Sequence, residues 1–102
     1  MHKIGWDWTA EEIEQAKQLS RELLIQLYTG GIWGFSFFVN KASRKIQLTT
    51  STGSPATKEY FYAEATDSDI FEEYIGRCVC LCKATGTPVP QFIKNKNKEA
   101  KP

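Results

Sequence analysis

Three short stretches, "IWGFSFFVN", "RKIQLTT" and "KEYFYAEA", each alternate between two kinds of side chain and are separated by only a few turn-forming residues. Successive side chains on a strand point to opposite faces, so a period of two reads as a strand. In the first stretch Trp33, Phe35, Phe37 and Val39 alternate with Gly34, Ser36, Phe38 and Asn40. In the second, Ile46 and Leu48 alternate with Lys45, Gln47 and Thr49; in the third, Tyr60, Tyr62 and Glu64 alternate with Phe61, Ala63 and Ala65. The connections are "NKAS", a short turn, and "STGSPAT", a longer loop rich in turn formers. Short links favour antiparallel neighbours, so the three strands form a meander.

A helix precedes them. In "WTAEEIEQAKQLSRELLIQLYTGG", Thr9 and Glu12 have the spacing of a capping box, and Trp8 with Ile13 that of a hydrophobic staple. Ile13, Ala16, Ser20, Leu23, Leu24 and Leu27 fall on one helical face, and Glu11, Glu14, Gln18 and Glu22 on the other. Gly30 and Gly31 supply the stop, through the left-handed conformation open to glycine.

A second helix is expected over 67–85. Thr66 and Asp69 repeat the capping-box spacing, and Phe71, Tyr74, Ile75, Cys78 and Cys82 recur at three- and four-residue steps. Gly86 ends it, and Pro88 and Pro90 forbid its continuation. Gly76 inside such a helix costs about 1 kcal/mol relative to alanine, which points to close packing at that position. A competing parse ends the helix at Gly76 and makes "RCVCLCK" a fourth strand. "VPQFI" lies back over the core through Val89, Phe92 and Ile93.

The expected fold class is therefore α+β: helix, three-stranded antiparallel meander, helix, with both helices on one face of the sheet. A chain of 102 residues suits one domain, taken as 1–93, with a disordered basic tail over 94–102.

The cysteines decide whether a reactive centre is plausible. Cys78, Cys80 and Cys82 are the only three, and their C-x-C-x-C spacing is neither the C-x-x-C of redox enzymes nor a four-ligand zinc set. The single histidine, His2, lies near the N-terminus. On a helix, Cys78 and Cys82 share a face while Cys80 points away, toward Asp69, Glu73 and Arg77. Cys78 and Cys82 are read as core residues and Cys80 as a thiol on the polar face. No metal, cofactor or catalytic residue is expected. An odd cysteine count also makes no disulfide framework, which favours a reducing cytoplasmic home. No apolar run approaches the roughly 20 residues of a membrane helix, and "MHKIGWDWTAEE" is not a secretory signal.

Net charge is +1, but it is distributed in blocks: −2 over 1–28, +4 over 29–58, −6 over 59–76 and +5 over 77–102. Stripes of this kind orient a partner rather than coat a polyanion. The same element order occurs in double-stranded-RNA-binding domains, yet those carry basic residues where this chain reads "TDSDIFEEY". "TTSTGSPATK" holds phosphate-loop residue types without the phosphate-loop spacing and reads as a hairpin loop.

If Trp33, Phe35, Phe37, Ile46 and Leu48 face inward under the helices, and small Ala63 and Ala65 pack there with them, the other face exposes Phe38, Tyr60 and Tyr62 beside Lys45, with Lys41, Arg44 and Lys58 nearby. An uncovered aromatic face suggests a binding surface. The leading reading is a protein partner or a second copy of the chain, because tyrosine and phenylalanine favour interface cores. The alternative is single-stranded nucleic acid, with bases stacked on the rings and Lys41, Arg44, Lys45 and Lys58 meeting phosphates. A third arrangement folds "PVPQFIK" across the face and buries it.

"DSDIFEEYIGRCVCLCKATG" resembles a segment of small uncharacterised proteins of phages and plasmids, through Asp69, Phe71, Gly76, Arg77, Lys83, Ala84 and Gly86. The resemblance implies a mobile-element origin and a small non-catalytic protein that acts on host or defence proteins. It supports the helical parse of this segment and carries no chemistry of its own.

Overall fold

The computed structural model describes residues 8–64 and 72–94. The expectations placed on His2, on Thr66, Asp67, Asp69 and Phe71, and on the tail beyond Lys94 lie outside them. The elements run α1 (Ala10–Thr29), β1 (Ile32–Asn40), β2 (Lys45–Thr52), β3 (Thr57–Glu64) and α2 (Glu73–Thr85). The fold is α+β, with a three-stranded antiparallel sheet in the order β1-β2-β3.

α1 starts where its sequence says it should. The Thr9 hydroxyl accepts from the Glu12 amide at 3.0 Å, and the Glu12 carboxylate accepts from the Thr9 amide at 3.0 Å, so the reciprocal box satisfies two orphan donors. Trp8, just before the cap, is half-buried against the core. The helix ends at Gly30, whose backbone is not left-handed (φ −87°); that conformation falls one residue later, at Gly31 (φ 104°).

α2 is a helix, not a strand, and it begins at Glu73 rather than at 67. Glu72 is its N-cap: the carboxylate accepts from the Tyr74 amide at 2.8 Å and the Ile75 amide at 3.1 Å. Gly86 closes it in the left-handed conformation expected of glycine there (φ 71°). Gly76 has the packing reason its cost implied. A Cβ at this position would run into Cδ1 of Ile46 and lie 3.3 Å from Cγ1 of the same side chain, so α2 crosses β2 where any larger residue must displace the buried Ile46 side chain.

One core lies between the sheet and the helices. It is built from Ala16, Leu23 and Leu27 of α1, Ile46 and Leu48 of β2, and Ile75, Cys78, Cys80, Leu81 and Cys82 of α2. α2 packs on β2 and β3 and also along α1, whereas α1 touches β1 only lightly. Ile93 enters the same core, with Val89 and Phe92 packed against it and a single helical turn over 91–94. The segment after α2 therefore folds onto the helix side, as "VPQFI" suggested, and leaves the other face of the sheet open. None of the helices in the described residues is long and apolar enough to cross a membrane.

Candidate functional site

The strand register fixes which side chains share the open face. Phe38 pairs with Gln47, which pairs with Tyr62; Ser36 pairs with Thr49, which pairs with Tyr60. Directly opposite residues on neighbouring strands point to the same side. These two rows form the middle of the face, and its rings stay in water: Phe38 is 65% exposed, Tyr60 52% and Tyr62 48%. The Gln47 amide donates to the Thr49 hydroxyl at 3.1 Å, tying the two rows together along β2. The inner partners along the same strands, Ile46 and Leu48, are fully buried. A single alternation thus sorts the sheet into a packed side and an open one.

Charge sits at the two ends. Lys45 lies between Asn40 and Glu64 in one end row, and Lys58 lies in line with Ser51 and Gly34 toward the other. At strand rise those rows are about 20 Å apart. Lys41 and Arg44 belong to the β1–β2 turn beyond the Lys45 row. Asn40 shapes that turn by accepting from the Ser43 amide at 3.1 Å, the Arg44 amide donates to the Lys41 carbonyl at 3.3 Å, and Arg44 takes a positive φ of 58°. The expected residues thus lie on neutral aromatic rows bounded by charged ends: Phe38, Tyr60, Tyr62, Lys45 and Lys58 on the face, with Glu64 beside Lys45, and Lys41 and Arg44 at its tip.

Two expectations for side chains fail here. Trp33 is not an inward residue. The β1–β2 register slips between Ile32 and Gly34, and the slip takes Trp33 out of the alternation, leaving it 59% exposed with its indole N–H donating to the Gly53 carbonyl at 3.1 Å. Phe35, on the inner side, is not sealed either, because α1 barely covers β1; its ring packs edge-on against Tyr28 and Phe37, each at 5.9 Å between centroids.

Cys80 is a third correction. Far from lying on a polar face, it is as buried as Cys78 and Cys82. α2 is sandwiched: Cys78 and Cys82 lie along one buried side, and Cys80 is pressed against the sheet with Sγ 3.6 Å from the Ile46 carbonyl oxygen and 3.7 Å from that of Phe61. Burial pushes the Cys78 thiol up to about 12, with neighbouring Cys82 adding to the rise. Burial pushes Cys80 up to about 11 against the opposing pull of Lys83, and it raises Cys82 as well. All three are neutral packing groups at physiological pH. Among the described residues, no three His, Cys, Asp or Glu side chains are placed to hold a metal ion.

A cleft of about 330 Å³ opens between the helices and Phe37. Arg77 spans it, with Nη2 2.6 Å from a Glu73 carboxylate oxygen and its guanidinium 5.1 Å from the Phe37 centroid and 5.4 Å from that of Tyr74. Lys17 lies 4.3 Å from the Tyr74 centroid. These cations rest on rings and a carboxylate of the same chain, which makes the cleft a structural seam between α1 and α2.

No family model matches the chain, and neither a curated protein nor a solved structure does.

Proposed function

We propose that this protein is a small non-catalytic interaction module that docks another protein on the open face of its sheet. The observation that supports the reading is the zoning of that face: exposed Phe38, Tyr60 and Tyr62 around uncharged Ser36, Gln47 and Thr49, with Lys45, Glu64 and Lys58 at the ends. Protein interfaces combine a charge-depleted aromatic centre with a polar rim in this way. Lys41, Arg44 and Lys45 at one end favour a partner that is acidic where it meets the β1–β2 turn. The resemblance of 67–86 to phage and plasmid proteins fits a mobile-element protein acting on host machinery.

Single-stranded nucleic acid is the second reading. The three cations near Phe38 favour it, whereas the uncharged rows between the two ends do not, since a backbone-tracking groove interleaves cations with its stacking rings.

The test is affinity purification from the native host with the wild-type chain and with a Tyr60→Ala/Tyr62→Ala variant of unchanged circular dichroism. A protein retained by the first and lost by the second, with weak salt dependence, is the expected result. Recovery of nucleic acid whose binding collapses as salt rises would favour the second reading. A partner held equally by both chains would remove the open face from consideration.

A further inference from the structure

The two edges of the sheet are unlike. β3 carries Lys58, Glu59 and Glu64, and its Tyr62 carbonyl accepts a hydrogen bond from Lys83 Nζ at 2.6 Å. Charge and a covering side chain are how sheets keep an edge from pairing. Among the described residues β1 has neither. Its nine residues, "IWGFSFFVN", include no charge and no proline, four are aromatic, and β2 is its one described pairing partner.

We infer that the β1 edge pairs antiparallel with β1 of a second copy about a two-fold axis at Ser36, making one continuous six-stranded sheet. The strand is complementary to itself in that register. Phe38, the most exposed ring among the described residues, falls opposite Gly34 of the other copy, where no side chain competes for the space; an aromatic across from a strand glycine is a favourable pair. On the inner side Phe35 falls opposite the other copy's Phe37. Ser36, small and exposed, meets itself at the axis. The register slip at Ile32–Gly34 limits regular pairing to residues 34–38.

The surroundings continue the surface. Tyr28 is 51% exposed and packs on Phe35, and Ile25, one turn earlier on α1, is 63% exposed. With Trp33, Phe35 and Phe38 they present about 500 Å² of accessible side chain per copy. Complete burial of both sets totals about 1,000 Å², the lower bound of a biological interface. The proposal shares Phe38 and Ser36 with the open face but uses neither Tyr60 nor Tyr62, so variants at those two tyrosines separate it from the partner reading above.

Sedimentation velocity and light scattering over a concentration series test it. The wild type should reach twice the 11.6 kDa chain mass. Ser36→Lys and Ser36→Glu should each raise the dissociation constant roughly a hundredfold or more by setting like charges face to face. Mixing the two variants should restore the dimer, which a folding defect would not do. Ser36→Cys, almost isosteric, should form a symmetric disulfide under mild oxidation, because the chain's own thiols are buried. Thr49→Cys, in the middle of the open face, should not, and Tyr60→Ala/Tyr62→Ala should still dimerise. A wild type that is monomeric throughout, a dimer untouched by Ser36→Lys, or cross-linking through Thr49→Cys instead of Ser36→Cys would each overturn the proposal.

Discussion

Gly76 of α2 lies directly on Ile46 of β2, with no room for even a methyl group between them. The position is a conflict between two preferences. Alanine is the better helix former by about 1 kcal/mol, yet its Cβ must displace the Ile46 side chain in a packed core. Overpacking costs about 1–3 kcal/mol, so Gly76→Ala should lower stability despite its propensity. Ile46→Val removes the Cδ1 that is in the way and alone should cost about 1 kcal/mol. In a denaturant double-mutant cycle, the pair should be more stable than the sum of the singles. An additive cycle would mean that the two residues do not meet as described.

The thiols should be silent in the folded protein. At pH 8, a disulfide-exchange reagent should label none of Cys78, Cys80 and Cys82 until guanidinium unfolds the chain, because all three are buried and held neutral. Rapid labelling of any one under native conditions would contradict the placement of α2.

The same burial sets a pH dependence with a definite sign. An unfolded thiol ionises from its ordinary value of 9.0, whereas Cys78 and Cys80 hold their protons to about 12 and about 11. The unfolded state therefore releases protons first. Their contribution is fully present below pH 9 and is lost as pH rises from there toward 11–12, by up to about 1.4 kcal/mol per pH unit for each thiol. Unfolding midpoints measured from pH 8 to 10.5 should fall above 9, and Cys78→Ala should make that fall shallower.

The start of α1 rests on Thr9. Thr9→Ala removes an acceptor for the Glu12 amide and should cost about 1 kcal/mol, with Thr9→Asp restoring most of it. Thermal melts of the three chains provide the comparison, and equal stability for all three would show that the box contributes nothing.

Replacing the open-face rings should leave the fold nearly intact. Tyr60 and Tyr62 make their exposed halves available to solvent, not to the core, so Tyr60→Ala/Tyr62→Ala should lose less than about 1 kcal/mol in chemical denaturation. A much larger loss would assign these rings to packing rather than to docking.

Much of this architecture was legible because its signals are local. A capping box needs four residues, a strand needs alternation, and Gly86 needs only its freedom at positive φ; each is visible without knowing what packs on it. Alternation puts Phe38 on the open face, and the small alanines alternating with Tyr60 and Tyr62 put those rings there too; the register agrees. The misreadings concern relations between elements. Cys80 looked polar-facing because a helical wheel allows one buried side, and α2 has two, one toward α1 and one toward the sheet. Trp33 and Phe35 followed the alternation of β1 on paper, but a register slip and the thin cover from α1 are set by how β1 meets its neighbours. The N-cap at Glu72 is hidden in the sequence because glutamate is an unusual cap and Thr66 with Asp69 offers a commoner pattern upstream.

The sheet is one strand thick between the helices and the open side. The backbone of β2 that holds Ile46 beneath Gly76 and Cys80 is the backbone that presents Gln47 and Thr49 outward. The small residues of α2 therefore govern how far the central strand is drawn inward, and with it the curvature of the surface between Phe38 and Tyr62. Enlarging Cys80 would reshape a surface that its sulfur never touches, so the contour of the open face can be tuned from behind without replacing any residue exposed on it.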